Sequence, residues 1–193
     1  MFQSTDIVKK IFYINLFAFI FTIIDQNILG FPIVDYLALY PISDTHFQIF
    51  QPITHLFMHG SLSHIFFNMF ALLSFGPWVE NQIGSRKFLL FYFIMGFGAA
   101  ILQMLLSNGA MIGASGAIFG VFVYFTILNP DAQLSIFLLP ISFKAKHFLY
   151  FILGLEILSA LFMNDGVGHF AHLGGALTGF ILYKLEEHFN FNI

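Results

Sequence analysis

The 193-residue sequence contains no cysteine and very little charge. The absence of cysteine excludes disulfides, thiolate metal sites and a cysteine nucleophile. Charged residues make up 9% of the chain, against about 25% in soluble domains, while hydrophobic residues make up 59%. The seven lysines and arginines form no basic patch, so no nucleic-acid partner is expected. With a mean hydropathy of +0.86, this composition indicates a protein of the lipid bilayer.

Apolar runs between polar breaks predict an all-α membrane protein, one domain over residues 1–193, with six transmembrane helices. The first run follows Lys9 and Lys10 but lacks a small-residue cleavage site, so it is predicted to be a retained span. The connection over residues 25–60 holds prolines among aromatic runs, which favours short helices at the outer interface. The predicted spans are residues 8–24, 61–81, 87–107, 115–128, 147–163 and 169–186.

The cationic residues test this number of spans independently. With six spans all seven fall on one side of the membrane, and the positive-inside rule assigns that side to the cytoplasm. Both termini are then cytoplasmic, and the 1–2, 3–4 and 5–6 connections face outward. The seven residues are Lys9, Lys10, Arg86, Lys87, Lys144, Lys146 and Lys184.

Three of the predicted spans begin, on the outer side, with polar residues that are costly inside a membrane. These openings read THLFMHGSLSHIFFN, GASGAIFG and GHFAHLGG. The fourth span covers about 21 Å at 1.5 Å per residue, short of the roughly 30 Å hydrocarbon core. Ser115 is therefore expected about 10 Å below the outer interface, and Asn68 lies at a similar depth by the same rise. His172 stands about one turn into the sixth span, so the three side chains are predicted to meet.

Small residues predict that the fourth and sixth spans approach closely. Gly116 and Gly120 form a stripe on the fourth span. On the sixth, His172 shares one helical face with Gly175 and Gly179, at positions i, i+3 and i+7. The histidine is therefore expected to face the serine.

These residue types suit nucleophilic catalysis. A serine hydroxyl needs a base to take its proton, and a neutral imidazole serves near pH 7. Ser115 is the candidate nucleophile and His172 the candidate base; because the openings contain no carboxylate, a dyad is expected rather than a triad. The candidate oxyanion donors are the side chains of His64 and Asn68 and the Ser115 backbone N–H.

Further residues are expected to support this site. Gly113 and Gly116 allow a sharp turn and the approach of a peptide. Phe119, one turn below the serine, is expected to pack against the imidazole of the base and orient it in place of an acid. His59 is a supporting candidate, and His55 is expected to be structural.

The three motifs together resemble those of rhomboid proteases over about residues 50–186. The resemblance implies a six-span rhomboid bundle in which Ser115 is the nucleophile, His172 the base, and His64 and Asn68 the oxyanion donors. No cofactor and no metal are expected. The motifs are H-x-x-x-H-x-x-x-x-H-x-x-x-N from His55 to Asn68, G-x-S-G from Gly113 to Gly116, and A-H-x-G-G from Ala171 to Gly175.

The resemblance further implies single-span membrane proteins as substrates, cut near the outer surface with a small residue before the scissile bond. It implies a cap formed by the loop Asn164 to Gly168 and a lateral gate at the fifth span. The compact form suggests a prokaryotic plasma membrane; the oligomeric state is left open. Two positions depart from the family pattern, since Phe50-Gln51 stands where many members carry Trp-Arg, and Phe119 where a tyrosine is common.

Three alternatives explain parts of the pattern. Zinc could bind the outer histidines, but no H-E-x-x-H occurs and the serine with its glycines would be unexplained. Glu156 and Gln103 could mark a transport path, although they lack basic partners and an internal repeat. An inactive rhomboid-like binder of membrane proteins would lack the serine or the histidine, and both are present. His169, on a different face from the base, is expected to contact water or the cap.

Overall fold

The computed structural model describes residues 6–135, 141–163 and 165–189, which form a helical bundle with one short hairpin. A π-helical turn, Asp25–Leu29, extends the first helix, and a 3-10 turn, His55–Phe57, follows the third. The helices are α1 (Asp6–Ile24), α2 (Ile33–Leu37), α3 (Gln51–Thr54), α4 (Leu62–Ile83), α5 (Ser85–Leu106), α6 (Ser115–Leu128), α7 (Ala145–Phe162) and α8 (His169–Phe189). The strands β1 (Gln133–Ser135) and β2 (Ser142–Lys144) pair antiparallel between α6 and α7.

Four helices of the described residues are long and apolar enough to cross a membrane: α1 with its π turn, α4, α5 and α7. Large apolar side chains such as Phe17, Leu105 and Phe162 are exposed on their outer faces. Contact with lipid requires such faces, so the protein is an integral membrane protein. The helix α6 is apolar but has only 14 residues, and α8 lies outside the four.

Six of the helices fall where spans were predicted, and their ends differ from the predicted ones by up to three residues. The largest difference is at the end of α8, which continues to Phe189 through a charged last turn. Helices α6 and α8 are not among the described helices that are long and apolar enough to cross a membrane. The presence of six spans therefore stays a prediction. The short helices expected between the first two spans are α2 and α3.

The bundle is built around α6, most of which is buried between α4, α5 and α8. Its glycines face those of α8 directly. A methyl group placed on Gly175 would overlap the carbonyl oxygen of Gly116, and one placed on Gly179 would overlap that of Gly120. We call this contact between α6 and α8 the glycine seam. Only backbone without side chains fits there, so the two helices have one possible spacing.

A second close contact holds α8 against α5. A methyl group on Gly174 would lie 2.6 Å from the carbonyl oxygen of Gly98, and one on Gly98 would overlap the hydroxyl of Thr178. The small-residue spacing on α8 predicted only the face that carries the base, and this second face was not predicted. Helix α8 is consequently fixed from two sides.

The end of the bundle that carries the cations is held together by two carboxylates, Glu80, which is buried, and Glu186, which is partly exposed. Glu80, at the end of α4, accepts the backbone N–H groups of Ile7 and Val8 at 3.0 Å each. Glu186, at the end of α8, pairs with Lys87 of α5 at 2.7 Å and accepts the hydroxyl of Tyr124. The first turn of α1, the last turn of α4, the first turn of α5 and the last turn of α8 therefore lie together.

The connection between α1 and α4 is anchored by Gln51, whose side chain is completely buried. Its amide nitrogen donates to the carbonyls of His46 at 2.9 Å and Tyr36 at 3.2 Å, and its oxygen accepts the Tyr40 N–H at 3.3 Å. This position is one of the two departures from the family pattern. The neutral side-chain amide of Gln51 thus anchors the loop by hydrogen bonds to the backbone of other loop residues.

The same connection is joined to the segment before α6. Leu39 and Met111 exchange two backbone hydrogen bonds of 2.8 Å each, and the Gly113 N–H donates to the His55 carbonyl at 2.8 Å. The loop that leads into α6 is thereby fixed to a segment more than fifty residues earlier in the chain.

Candidate active site

The predicted nucleophile and base lie in direct contact. Ser115 is the first residue of α6, and its Oγ lies 2.7 Å from Nε2 of His172, one turn into α8. His172 is only 9% exposed. The glycine seam brings the two helices close enough for this contact, as the spacing of the small residues predicted.

The sharp entry into α6 depends on Gly113. Its φ of +119° lies in the region that only glycine adopts readily. A side chain would also have no room, because a methyl group there would lie 2.7 Å from Nε2 of His64 and 3.8 Å from Oγ of Ser115. His64 and Ser115 therefore face the same side of this turn.

The ring of Phe119 stacks on the imidazole of His172. The ring centroids are 4.4 Å apart and the planes differ by 11°. This stacking limits rotation of the imidazole about its own bonds. It holds Nε2 toward the serine hydroxyl, as proposed from the one-turn spacing between Ser115 and Phe119.

A carboxylate lies on the other side of the imidazole, which the sequence analysis missed. Oε2 of Glu156, on α7, lies 2.9 Å from Nδ1 of His172. The oxygen stands off the direction of the N–H bond, so Nδ1 has no aligned hydrogen-bond partner among the described residues. The expectation that no acid lies near the base is therefore wrong, because a carboxylate oxygen of Glu156 lies close to Nδ1. The contact is electrostatic and is not an aligned hydrogen bond.

The aligned partner of Glu156 is His169. Its Nδ1 lies 2.7 Å from the same Oε2, and its Nε2 lies 3.2 Å from Oδ1 of Asp165 in the outer loop. His169 therefore lies between two carboxylates, and its contact with the cap loop agrees with the expectation for it. The N–H of Val167 is the main cause that keeps the pKa of Asp165 below its ordinary value.

The two candidate oxyanion donors lie on α4, at the edge of the same space. The Asn68 amide nitrogen donates one hydrogen to the His64 carbonyl at 2.9 Å, which leaves its second N–H to act toward the site. Ser61 caps the helix by accepting the His64 N–H at 3.1 Å. The donors are thus held by the first turns of a capped helix.

Behind them lie two completely buried histidines, His55 and His59. Burial lowers the pKa of His55 to about 3 and, with a smaller contribution from His64, that of His59 to about 4. Both rings are consequently neutral near pH 7. The His59 ring meets the His64 ring edge-on, with centroids 4.9 Å apart, so it supports the position of His64.

A cavity of about 650 Å³ connects these groups. It contains the candidate nucleophile, the candidate base and the two candidate donors, and the loop between α7 and α8 closes one side of it. The loop residues in its wall are Gly166, Val167 and Gly168, whereas Asn164, the first residue of the expected cap, lies outside the described residues.

With this geometry established, the comparison with protein families is decisive. The Rhomboid domain matches residues 46–186. The chain is a member of the rhomboid family. Rhomboids are a family of intramembrane proteases, and the match includes all three motifs from His55 to Gly175.

Curated relatives agree with this assignment. The chain is 37% identical over 134 residues to RHOMBOID-like protein 6, mitochondrial, of Arabidopsis thaliana, which covers 67% of this chain and 41% of that protein. It is 31% identical over 150 residues to Rhomboid-like protease 3 of Toxoplasma gondii, covering 75% and 54%. To Presenilin-associated rhomboid-like protein A, mitochondrial, of Danio rerio it is 31% identical over 153 residues, covering 76% and 39%. The chain thus spans between 39% and 54% of the length of these rhomboid relatives.

The relatives do not support the expected compartment. They come from eukaryotes, and two of the three carry the word mitochondrial in their names. The expectation of a prokaryotic plasma membrane rested on the lack of extra domains and the compact six-span form, and these relatives do not support it.

Proposed function

We propose that this rhomboid is an active serine endopeptidase that cleaves transmembrane proteins, with Ser115 as nucleophile and His172 as general base. The observation that carries the proposal is the 2.7 Å contact between Oγ and Nε2. A base at this distance can take the hydroxyl proton as the oxygen attacks a peptide carbonyl.

The first step requires a particular tautomer of the base. Nε2 of His172 must carry a lone pair toward Ser115, so the ring proton is on Nδ1, beside Glu156. When Nε2 takes the serine proton, the imidazolium forms 2.9 Å from an anionic oxygen that stabilises it. Glu156 is in this scheme a positioning residue, and the protonated imidazole later returns the proton to the leaving amine.

The negative charge of the tetrahedral intermediate falls on the former carbonyl oxygen. The donors proposed for it are the free N–H of Asn68, the His64 ring and the backbone N–H of Ser115. The last belongs to the first turn of α6, where backbone N–H groups have no partner within the helix. Asn68 and His64 are held on the capped start of α4 and Ser115 on the start of α6, which supports donors that need little reorganisation during the reaction.

The proposed orientation puts the site on the side of the membrane opposite the cations. The contacts of Glu80 and Glu186 bring several cationic helix ends together, which supports one cytoplasmic face with six crossings. Reporter fusions after residues 86 and 109 test this, since they should report inside and outside respectively. Fusions that reported one common side would rule out the six-span arrangement.

The decisive experiment uses the purified protein with a single-span membrane substrate. We expect cleavage by the parent and none by Ser115→Ala. The free energies of unfolding of the two proteins should differ by less than about 1 kcal/mol, because only one hydroxyl is removed from a partly exposed position. A fluorophosphonate probe should label the parent at Ser115. Cleavage that persists in Ser115→Ala would assign the nucleophile elsewhere, and a parent that neither cleaves nor is labelled would make it an inactive binder.

A further inference from the structure

A cluster of nitrogen and oxygen ligands lies behind the base, on the side away from the serine. The side chains of Glu156, His169 and His172 each offer one donor atom, and the three atoms all lie within 4.8 Å of one another. We propose that these three residues form an inhibitory binding site for a divalent transition-metal ion, Zn²⁺ by ligand type, which disables the base when bound.

The distances suit such an ion after a small adjustment. Oε2 of Glu156 lies 2.7 Å from Nδ1 of His169 and 2.9 Å from Nδ1 of His172. Ligands around a tetrahedral zinc ion, at about 2.0–2.1 Å each, stand roughly 3.3 Å apart. The contacts therefore need to widen by about half an ångström, which side-chain rotation of Glu156 can provide.

A second observation points to a ligand at the same place. Nδ1 of His172 is buried and lies 2.9 Å from Oε2 of Glu156, but it has no aligned hydrogen-bond partner among the residues that the structure describes. Buried polar atoms are rarely left in this state. A metal ion between the three side chains would satisfy this nitrogen.

The outer loop supplies the secondary contact typical of metal sites. Metal-bound histidines usually donate their second ring N–H to a carboxylate, which fixes the ring and increases its basicity. Nε2 of His169 lies 3.2 Å from Oδ1 of Asp165 in this position. His169 also lines a cavity of about 310 Å³ together with Asp165 and Gln103, so one side of the cluster borders open space.

The ligand set selects the class of ion. Two imidazoles and one carboxylate suit zinc and its neighbours in the first transition series, whereas magnesium and calcium prefer oxygen ligands throughout. Three protein ligands leave a fourth position for water.

The inhibitory effect follows from the position of one proton and rests on the proposed function. A metal on Nδ1 of His172 occupies the lone pair there, so the proton of the neutral ring must be on Nε2. Nε2 would then donate toward Ser115 and have no lone pair to accept the serine proton. The ion therefore prevents the first step without touching the nucleophile.

Binding is tested in Ser115→Ala, so that its outcome does not depend on activity. We expect metal-free Ser115→Ala protein to bind one Co²⁺ with the strong visible absorption of a tetrahedral site, and Zn²⁺ to displace it. Adding Glu156→Gln or His169→Gln should weaken binding at least tenfold. Adding His46→Gln, a matched change of an exposed histidine beside Asp44, should leave the spectrum unchanged.

Inhibition is then measured on the parent with Zn²⁺ buffered over a range of concentrations. We expect reversible loss of cleavage, recovery with EDTA, and an inhibitory concentration at least tenfold higher in His169→Gln, each protein being compared with its own zinc-free rate. Activation by Zn²⁺, loss of activity with EDTA alone, or an unchanged Co²⁺ spectrum in His169→Gln would overturn the proposal. A parent that binds Co²⁺ but does not cleave even when it is free of metal would instead refute the protease function and leave the metal site in place.

Discussion

The glycine seam and the helix α7 hold the two sides of the same imidazole, and they are built in opposite ways. At the seam, side chains are absent and backbone meets backbone, so the distance between α6 and α8 cannot change without separating the helices. Within α7, Ala145 and Leu149 are the fully buried residues, and both lie at the end far from the site. The contact of base and nucleophile is therefore held rigidly, while the contact of base and Glu156 depends on a loosely packed helix.

This difference separates two functions that are often combined in one triad. Proton transfer from the serine needs a fixed distance, and the seam provides it. The carboxylate supplies charge that falls off gradually with distance, so it tolerates a helix that moves. Motion of α7 away from α8 would then weaken the base without removing it.

The largest difference between the two regions is expected when one methyl group is added to each, as a Gly→Ala change. In Gly175→Ala the methyl would overlap the Gly116 carbonyl, so we expect a loss of about 3 kcal/mol in stability and at least a hundredfold loss of cleavage. Gly154→Ala on α7 meets no atom within 4 Å and should be neutral or stabilising by up to about 1 kcal/mol. Thermal unfolding and cleavage rates check both. Equal effects of the two changes would show that the seam and α7 are equally tolerant, against this account.

A donor on a third helix sharpens the comparison, because it belongs to neither region. Asn68→Ala should lower kcat by about 10- to 100-fold and change KM little, since the amide acts on charge present mainly in the transition state. Loss of a single oxyanion donor elsewhere costs about 10²–10³, and here two donors remain. Ser74→Ala serves as the control. It removes a hydrogen bond from a side chain to the carbonyl four residues earlier, as Asn68→Ala does, but on the exposed part of α4. An unchanged kcat would remove Asn68 from the site.

The charge on α7 should have a smaller effect. Glu156→Gln keeps the shape but removes the anion beside the imidazolium, so we expect kcat and the rate of fluorophosphonate labelling to fall about tenfold, with KM nearly constant. Glu187→Gln, which removes an exposed carboxylate paired with Lys184, is the control for charge. A loss as complete as that of Ser115→Ala would show that α7 is held as rigidly as the seam.

The smallest effect is expected from the stacked ring that works with the seam. Phe119→Leu removes the aromatic contact with His172, and we expect a fall in kcat of about three- to tenfold from looser orientation of the imidazole. Phe97→Leu, at a largely exposed position on α5, should leave the rate unchanged. If Phe119→Leu were as active as the parent, the seam alone would orient the base.

The sequence predicted the parts of the site that depend on local periodicity. Ser115 at the start of a helix, and His172 on one face with Gly175 and Gly179, are consequences of 3.6 residues per turn. The stacking of Phe119 followed in the same way, from a spacing of one turn. Each of these residues needed only its own helix to be placed.

Glu156 could not be placed in this way. Its contact with His172 depends on how α7 rotates against α8, and no spacing within either helix encodes that angle. The available signal was the isolation of one carboxylate in an apolar helix, which calls for a partner. Transport was the one alternative in which Glu156 had a role, and it was disfavoured for want of basic partners; the histidines of the next helix were not considered as partners.

Of the described helices, four are long and apolar enough to cross a membrane, whereas α6 is too short and α8 is not among the four. This difference also bears on how the protein is inserted into the membrane. The helices α1, α4, α5 and α7 are long and apolar enough to cross the bilayer, so we expect the short α6 and the glycine-rich, histidine-bearing α8 to depend on them for insertion. Ser115 and His172 lie on the two dependent helices, so we expect a chain truncated before α8 to leave Ser115 unreactive toward a fluorophosphonate. A nascent or partly inserted chain would then have no paired nucleophile and base, so it could not cleave neighbouring membrane proteins before it is fully assembled.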